Sequence, residues 1–339
     1  MLSDRRRIVL QALVQEYVRS AQPVASRQLV DRYDLRVSPA TVRNELAVLE
    51  ESGLVFQPHV SAGRVPTDSG YRAFVDEMLS SDEAGGLSPE EVEAIHTSYL
   101  ALEHELADAM RETSTLLSRL TSYVSVVIAP ALRRARIRHI SLVWLGEARV
   151  VVVVVTDSGQ VADRTVDLVE PVRAEQLATV ERLLGETLDG RVSEDVRDSR
   201  TRLETTAILS ARVTRQLIDE VLDCLQEADA DRVVTGGVTT LLGQPEFADP
   251  RLVSPLLRLL EDGLATLQVL TEVMQSGDLA VRIGGENGAG LEGLSLVAAN
   301  YEAGRAEGVI GVIGPTRMDY PRAVSAVRTV AEGLTEALG

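Results

Sequence analysis

The segment "SPATVRNELAVLEESGLV", residues 38–55, carries side chains suited to reading a polar surface. Val42, Leu46 and Leu49 follow the i, i+4, i+7 spacing of a helix with one buried stripe. The other side holds Ala40, Asn44 and Ala47, with Thr41 and Arg43 at its edges. In the DNA major groove Asn can bond adenine, and Arg guanine, through two atoms each, and small neighbours let a helix sink in. Helix-start amides together with Ser38 suit a phosphate. Downstream, "FQPHVSAGRVP" sets His59, Ser61 and Arg64 around a turn that can approach the sugar-phosphate backbone or enter the minor groove. The competing readings are a solvated face on a protein-interaction module and an Arg64 that pairs with a carboxylate and only fixes the turn.

These residues need a frame. A first helix is expected from Ser3 to Arg19 and a short one from Ser26 to Tyr33, with Ser26 as N-cap. Ser38 caps the third helix, Pro39 takes its first position, and Gly53 ends it in a left-handed conformation. Two short strands around "SAG" follow. Helix, helix, turn, helix, hairpin is the order of a winged helix-turn-helix, whose second motif helix enters the major groove.

The rest of the chain is longer and mixed. "SSDEAGG" at 80–86 is a linker by composition. A helix opens at Ser88 with Pro89 and a capping-box Glu91, and Val92, Ile95, Tyr99, Leu102 and Leu106 repeat along it. It packs on its own body or, alternatively, forms a coiled-coil contact across a dimer. Short β-branched segments then run from about 123 to 168, and the valine run at 150–155 is expected to be covered on both faces. Residues 193–275 read as helical and leucine-rich. Strands return in "DLAVRIGG", "GLSLVAANY" and "VIGVIGP" before a final helix. The expected class is multidomain α+β: a winged-helix head at 1–80, an α+β domain formed by 88–192 plus 276–339, and an inserted helical domain at 193–275. The insert's surplus of leucine, including Leu256, Leu260 and Leu267, is expected to form an oligomer interface.

Bulk properties exclude several classes. Net charge is −17, yet residues 1–75 hold ten Arg against eight acidic residues, so the acidity lies in the body. Screening confines such fields to about 10 Å, and an acidic body limits non-specific DNA binding. No Lys occurs. One cysteine, Cys224, excludes an internal disulfide, and the four histidines lack metal-ligand spacing, so neither metal nor cofactor is expected. The apolar runs are too short to span a bilayer and no signal peptide is evident, which points to the cytoplasm. "GGENGAG" at 284–290 lacks the Lys-Ser/Thr of a phosphate loop and reads as a turn. With no nucleophile elbow and no acid/base pair, an enzyme is not expected.

Three blocks resemble one known family. "PVASRQLV…VSPATVRNELAVLEESGLVFQPHVSAGRVPTDSGYR" is similar to the DNA-binding head of HrcA, the bacterial heat-inducible transcription repressor family, and "VRIGGENGAGLEGLSLVAANY" and "GVIGVIGPTRMDYPRAV" resemble its C-terminal core. Ala25 stands where glycine is expected and Val42 where isoleucine is commoner. The resemblance implies a winged-helix head and a GAF-like domain carrying an inserted dimerisation domain. It also implies a homodimer on the inverted-repeat CIRCE operator upstream of groEL/groES- and dnaK-type chaperone operons, derepressed on heat shock, with the GroEL chaperonin sustaining activity. The alternative is a one-component regulator whose GAF-like pocket senses a small molecule. The two are told apart by whether that domain encloses a ligand-sized cavity or is filled by side chains.

Overall fold

Where apolar residues recur at helical spacing, helices form, and caps set their ends. The computed structural model describes residues 2–60, 62–81, 86–100, 106–130, 136–157, 161–191, 210–227, 233–274, 277–288, 290–303 and 306–338. In the head, α1 is Asp4–Ser20, α2 Ser26–Arg32 and α3 Pro39–Glu51; β1, Val55–Phe56, pairs antiparallel with β2, Val65–Pro66; α4 is Asp68–Ser80. Ser38 caps α3 by accepting the Thr41 N–H at 3.1 Å, and Gly53 follows it with φ 73°. The α2 cap differs from expectation. Ala25 occupies the N-cap without a side-chain bond, and Ser26 is already helical.

The body continues with α5, Pro89–Leu100, and α6, Leu106–Thr121. The expected capping box is present: Ser88 N–H donates to Glu91 at 2.8 Å and Glu91 N–H to Ser88 at 3.2 Å. Leu102, part of the repeat, lies outside the described residues, while Ile95 and Tyr99 are buried in the protomer's own core. A five-stranded antiparallel sheet runs in the order β7-β3-β10-β9-β8, with β3 Val124–Ile128, β7 Val233–Gly236, β8 Leu279–Ile283, β9 Leu294–Ala303 and β10 Ala306–Pro315. The final helix, α12, is Tyr320–Leu338. No helix among the described residues is long and apolar enough to cross a membrane.

A second sheet, β4-β5-β6, stands apart. It comprises Ile137–Gly146, Arg149–Thr156 and Val161–Asp167, with α7, Ala174–Leu188, and α8, Ala211–Glu227, over one face. It encloses its own core of Ile140, Leu142, Val150, Val152, Val154, Leu177, Leu184, Leu217 and Val221, while head and main body share one continuous core. The valine run is therefore covered on one face, not two. Val150, Val152 and Val154 are fully buried and Val151, Val153 and Val155 only partly, because both helices lie on the same side.

The division expected at 192/193 and 275/276 does not follow these cores. Residues 238–274 fold as α9, Val238–Leu242, α10, Pro250–Glu261, and α11, Gly263–Met274, and pack on the main body. The segment expected to be helical also supplies a strand, β7, which pairs with β3 through Ser125↔Gly236. Leu256 is fully buried within the protomer, and Leu260 is partly buried against the same core. The leucine surplus is thus spent inside one chain: α11 packs on the five-stranded sheet, and α10 packs mainly on α11 and on the 3-10 turn Pro245–Ala248. Leu267 is helical, and its side chain lies outside the described residues.

Candidate nucleic-acid interface

Helix α3 presents the two faces its spacing dictates. Val42, Leu46 and Leu49 are buried, and Ala40, Arg43, Asn44 and Ala47 are exposed. Of the ten arginines in residues 1–75, nine pair with carboxylates, and Arg43 is the exception among the described residues. A guanidinium left in water beside an exposed Asn has its donors available to a base edge or a phosphate. Ser38 is exposed and Thr41 half-buried, and their hydroxyls lie 3.0 Å apart. With its oxygen already accepting the Thr41 N–H, Ser38 chiefly shapes the helix start.

The surrounding charges hold this face in place. Glu45 on α3 accepts from Arg6 on α1 at 3.1 Å. Glu16 is fully buried in α1 and gathers Gln28 at 2.6 Å, Arg32 at 2.5 Å and Arg19 at 3.0 Å, clasping α2. Burial, together with the Glu16 charge, raises the neighbouring Tyr33 hydroxyl above its ordinary pKa. Sequence reading missed this network. Its one legible signal is a glutamate placed among the apolar positions of α1.

The wing is scaffolded as tightly. Arg64 and Val24 exchange backbone bonds at 2.9 Å each, and a Cβ on Gly63 would fall 2.4 Å from the Val24 carbonyl. Gln57 donates to the carbonyls of Val60 and Ala62 at 2.9 and 2.8 Å. At the tip His59 is exposed and Val60 is 98% exposed; Ser61 lies outside the described residues. Arg64 does not stand out into solvent. Its side chain is 19% exposed and binds Glu50 of α3 at 2.8 Å, so the geometry gives it the wing-fixing part. Phe56 and Val60 expose apolar surface here that the sequence reading did not single out.

Known proteins align with both halves of this arrangement. A family model described as "Winged helix-turn-helix transcription repressor, HrcA DNA-binding" matches residues 1–79, and one described as "HrcA protein C terminal domain" matches 107–324. The chain belongs to the HrcA family. The relative named heat-inducible transcription repressor HrcA from Pelotomaculum thermopropionicum is 37% identical, covering 99% of this chain and 97% of its own. That from Kineococcus radiotolerans is 40% identical, covering 100% and 99%. A solved structure of a hypothetical protein superposes with TM-score 0.65 at 25% identity over 100% of this chain and 99% of its own. The HrcA head is thus the unit that carries α3, and its wing is tied to that helix through Glu50 and Arg64.

Proposed function

We propose that this chain is a heat-inducible transcription repressor that binds double-stranded DNA as a homodimer at the CIRCE inverted repeat of chaperone operons of the groEL/groES and dnaK type. The observation that carries the reading is the exposed pair Arg43 and Asn44 on α3, in a head whose other nine arginines pair with carboxylates. Each bidentate base contact contributes about 1–3 kcal/mol of discrimination. Arg43→Ala and Asn44→Ala should each weaken operator binding about tenfold or more, with the circular dichroism melt unchanged. Fluorescence anisotropy on an operator duplex decides it: wild-type affinity in both variants would end the base-reading assignment.

Dimerisation in this reading uses the three-stranded unit rather than the leucines of α10 and α11. The uncovered face of that sheet carries Val151, Val153 and Val155, with Val143 46% and Val161 63% exposed. A twofold axis through such a face would turn two heads toward one duplex. Warming that removes a few kcal/mol of stability, a large share of any domain's total, releases the operator. The GroEL chaperonin refolds the opened chain. The five-stranded body is taken as the GAF-like domain. Its interior supports a filled core over a ligand site: the Tyr301 ring occupies the space a Cβ on Gly308 would enter, at 2.3 Å, and its hydroxyl donates to the Ile128 carbonyl at 3.0 Å.

A further inference from the structure

Two segments find no use in base reading: the glycine-rich "GGENGAG" and the "TRMDY" after β10. Both lie against the head. Gly284 has φ 54°, and a Cβ there would sit 2.0 Å from the Asp68 carboxylate at the start of α4, so only glycine allows the approach. Asp68 accepts the Gly285 N–H at 2.9 Å. One turn along α4, Arg72 donates through Nε to Glu286 at 2.8 Å, and through Nη2 to the other Glu286 oxygen and to the Val281 carbonyl at 2.6 Å. Glu286 is itself fixed by the Ile283 N–H at 2.9 Å. The glycine-rich turn after β8 therefore receives a carboxylate and a guanidinium from the head.

The second contact reaches the head from the turn after β10, through an arginine that a carboxylate of the body holds in place. Arg317 grips both oxygens of Glu246, through Nε at 2.5 Å and Nη2 at 3.1 Å, and its Nη1 donates to the Val18 carbonyl in the last turn of α1. A cation there meets carbonyls that the helix cannot satisfy, at the negative end of its dipole. Between the two forks the rings of Tyr71 and Tyr320 pack at 5.7 Å. The Arg72 fork spans head and body, and the Glu246 fork, inside the body, holds Arg317 aimed at the Val18 carbonyl, so direction is fixed as well as distance.

We propose that Arg72 and Arg317 are positioning residues that lock the head at one angle on the body, and so set the register of two recognition helices on an inverted repeat. This rests on the dimeric DNA-binding reading above. The forks are partly exposed, with side-chain exposure of 28% for Arg72 and 14% for Arg317. Ion pairs of this kind add little to global stability. Their fixed geometry makes angle, rather than folding, their principal product.

The test uses full-length protein on a duplex carrying the inverted repeat, on duplexes whose spacer is changed by one, two or about five base pairs, half a turn of DNA, and on a single half-site. Wild type should favour one spacer by tenfold or more. Arg72→Ala with Arg317→Ala should flatten that preference to under threefold while leaving half-site affinity unchanged. Arg72→Lys, which keeps charge and fold but loses the fork, should fall between. A double variant that keeps the wild-type spacer profile, or that loses half-site affinity in parallel, overturns the proposal. A wild type indifferent to spacing overturns the dimeric reading itself, and this one with it.

Discussion

Tyr71 and Phe74 of the head share one buried core with Tyr320 and Val324 of the body, whereas Leu177 and Leu217 of the three-stranded unit pack only within that unit. The head is further pinned to the body by the Arg72–Glu286 fork and by the bond from Arg317 to the Val18 carbonyl. A part that shares its core must unfold with its neighbour, while a part with a separate core can open alone. The protein thus couples its DNA-reading helix rigidly to the body and leaves the proposed dimer contact on an independently stable unit. In the proposed dimeric repressor, warming is then expected to open this unit and its contact before the base-reading head.

The largest effect should come from breaking the second of these regions. Val151→Asp with Val153→Asp puts charges on the open sheet face without touching either core. It should give a folded monomer by sedimentation and lower affinity for the full inverted repeat about 100-fold, as loss of linked sites does. A dimer that survives these changes removes the sheet from the interface. Next comes the independence of the small core. Leu217 is fully buried there, so Leu217→Ala should cost about 2–5 kcal/mol in that unit. Hydrogen exchange should accelerate across β4–β6, α7 and α8 and stay unchanged across α1–α4. Uniform acceleration throughout would mean that the two cores melt as one.

Smaller effects sharpen the account of the head. Arg64 is committed to Glu50, so Arg64→Ala should weaken binding less than tenfold and leave the salt slope intact, whereas Arg43→Ala should relax discrimination at one base position. A slope reduced by about one ion in Arg64→Ala would put Arg64 on the phosphate after all. The smallest effect is acidic. Burial tends to raise the Glu286 carboxyl, but hydrogen bonds from Arg72 and the Ile283 N–H outweigh it and hold the group below its ordinary value of 4.5. Its contribution to head docking is therefore complete above that value and lost as pH falls through the depressed one. Wild type should show an acid-induced loosening of the α4–β8 contact by hydrogen exchange, which Arg72→Ala lacks.

Local spacing was enough to define α3. Val42, Leu46 and Leu49 had to face inward, which left Arg43 and Asn44 outside, and Ser38 and Gly53 marked the ends because capping depends on residues next to each other in the chain. The same holds for the Ser88–Glu91 box. What the sequence could not decide is which partner covers a surface. Leucine content marked α10 and α11 as needing apolar cover, but α11 finds it on the five-stranded sheet, assembled from strands more than a hundred residues apart, and α10 finds it mainly on α11 and the turn Pro245–Ala248. The valine run required at least one buried face and could not say how many, since that depends on which side α7 and α8 dock. Arg64, Arg72 and Arg317 read alike in the chain; only the tertiary structure brings Glu50, Glu286 and Glu246 to them and leaves Arg43 alone, because ion pairing is set by distances in space that sequence separation does not encode.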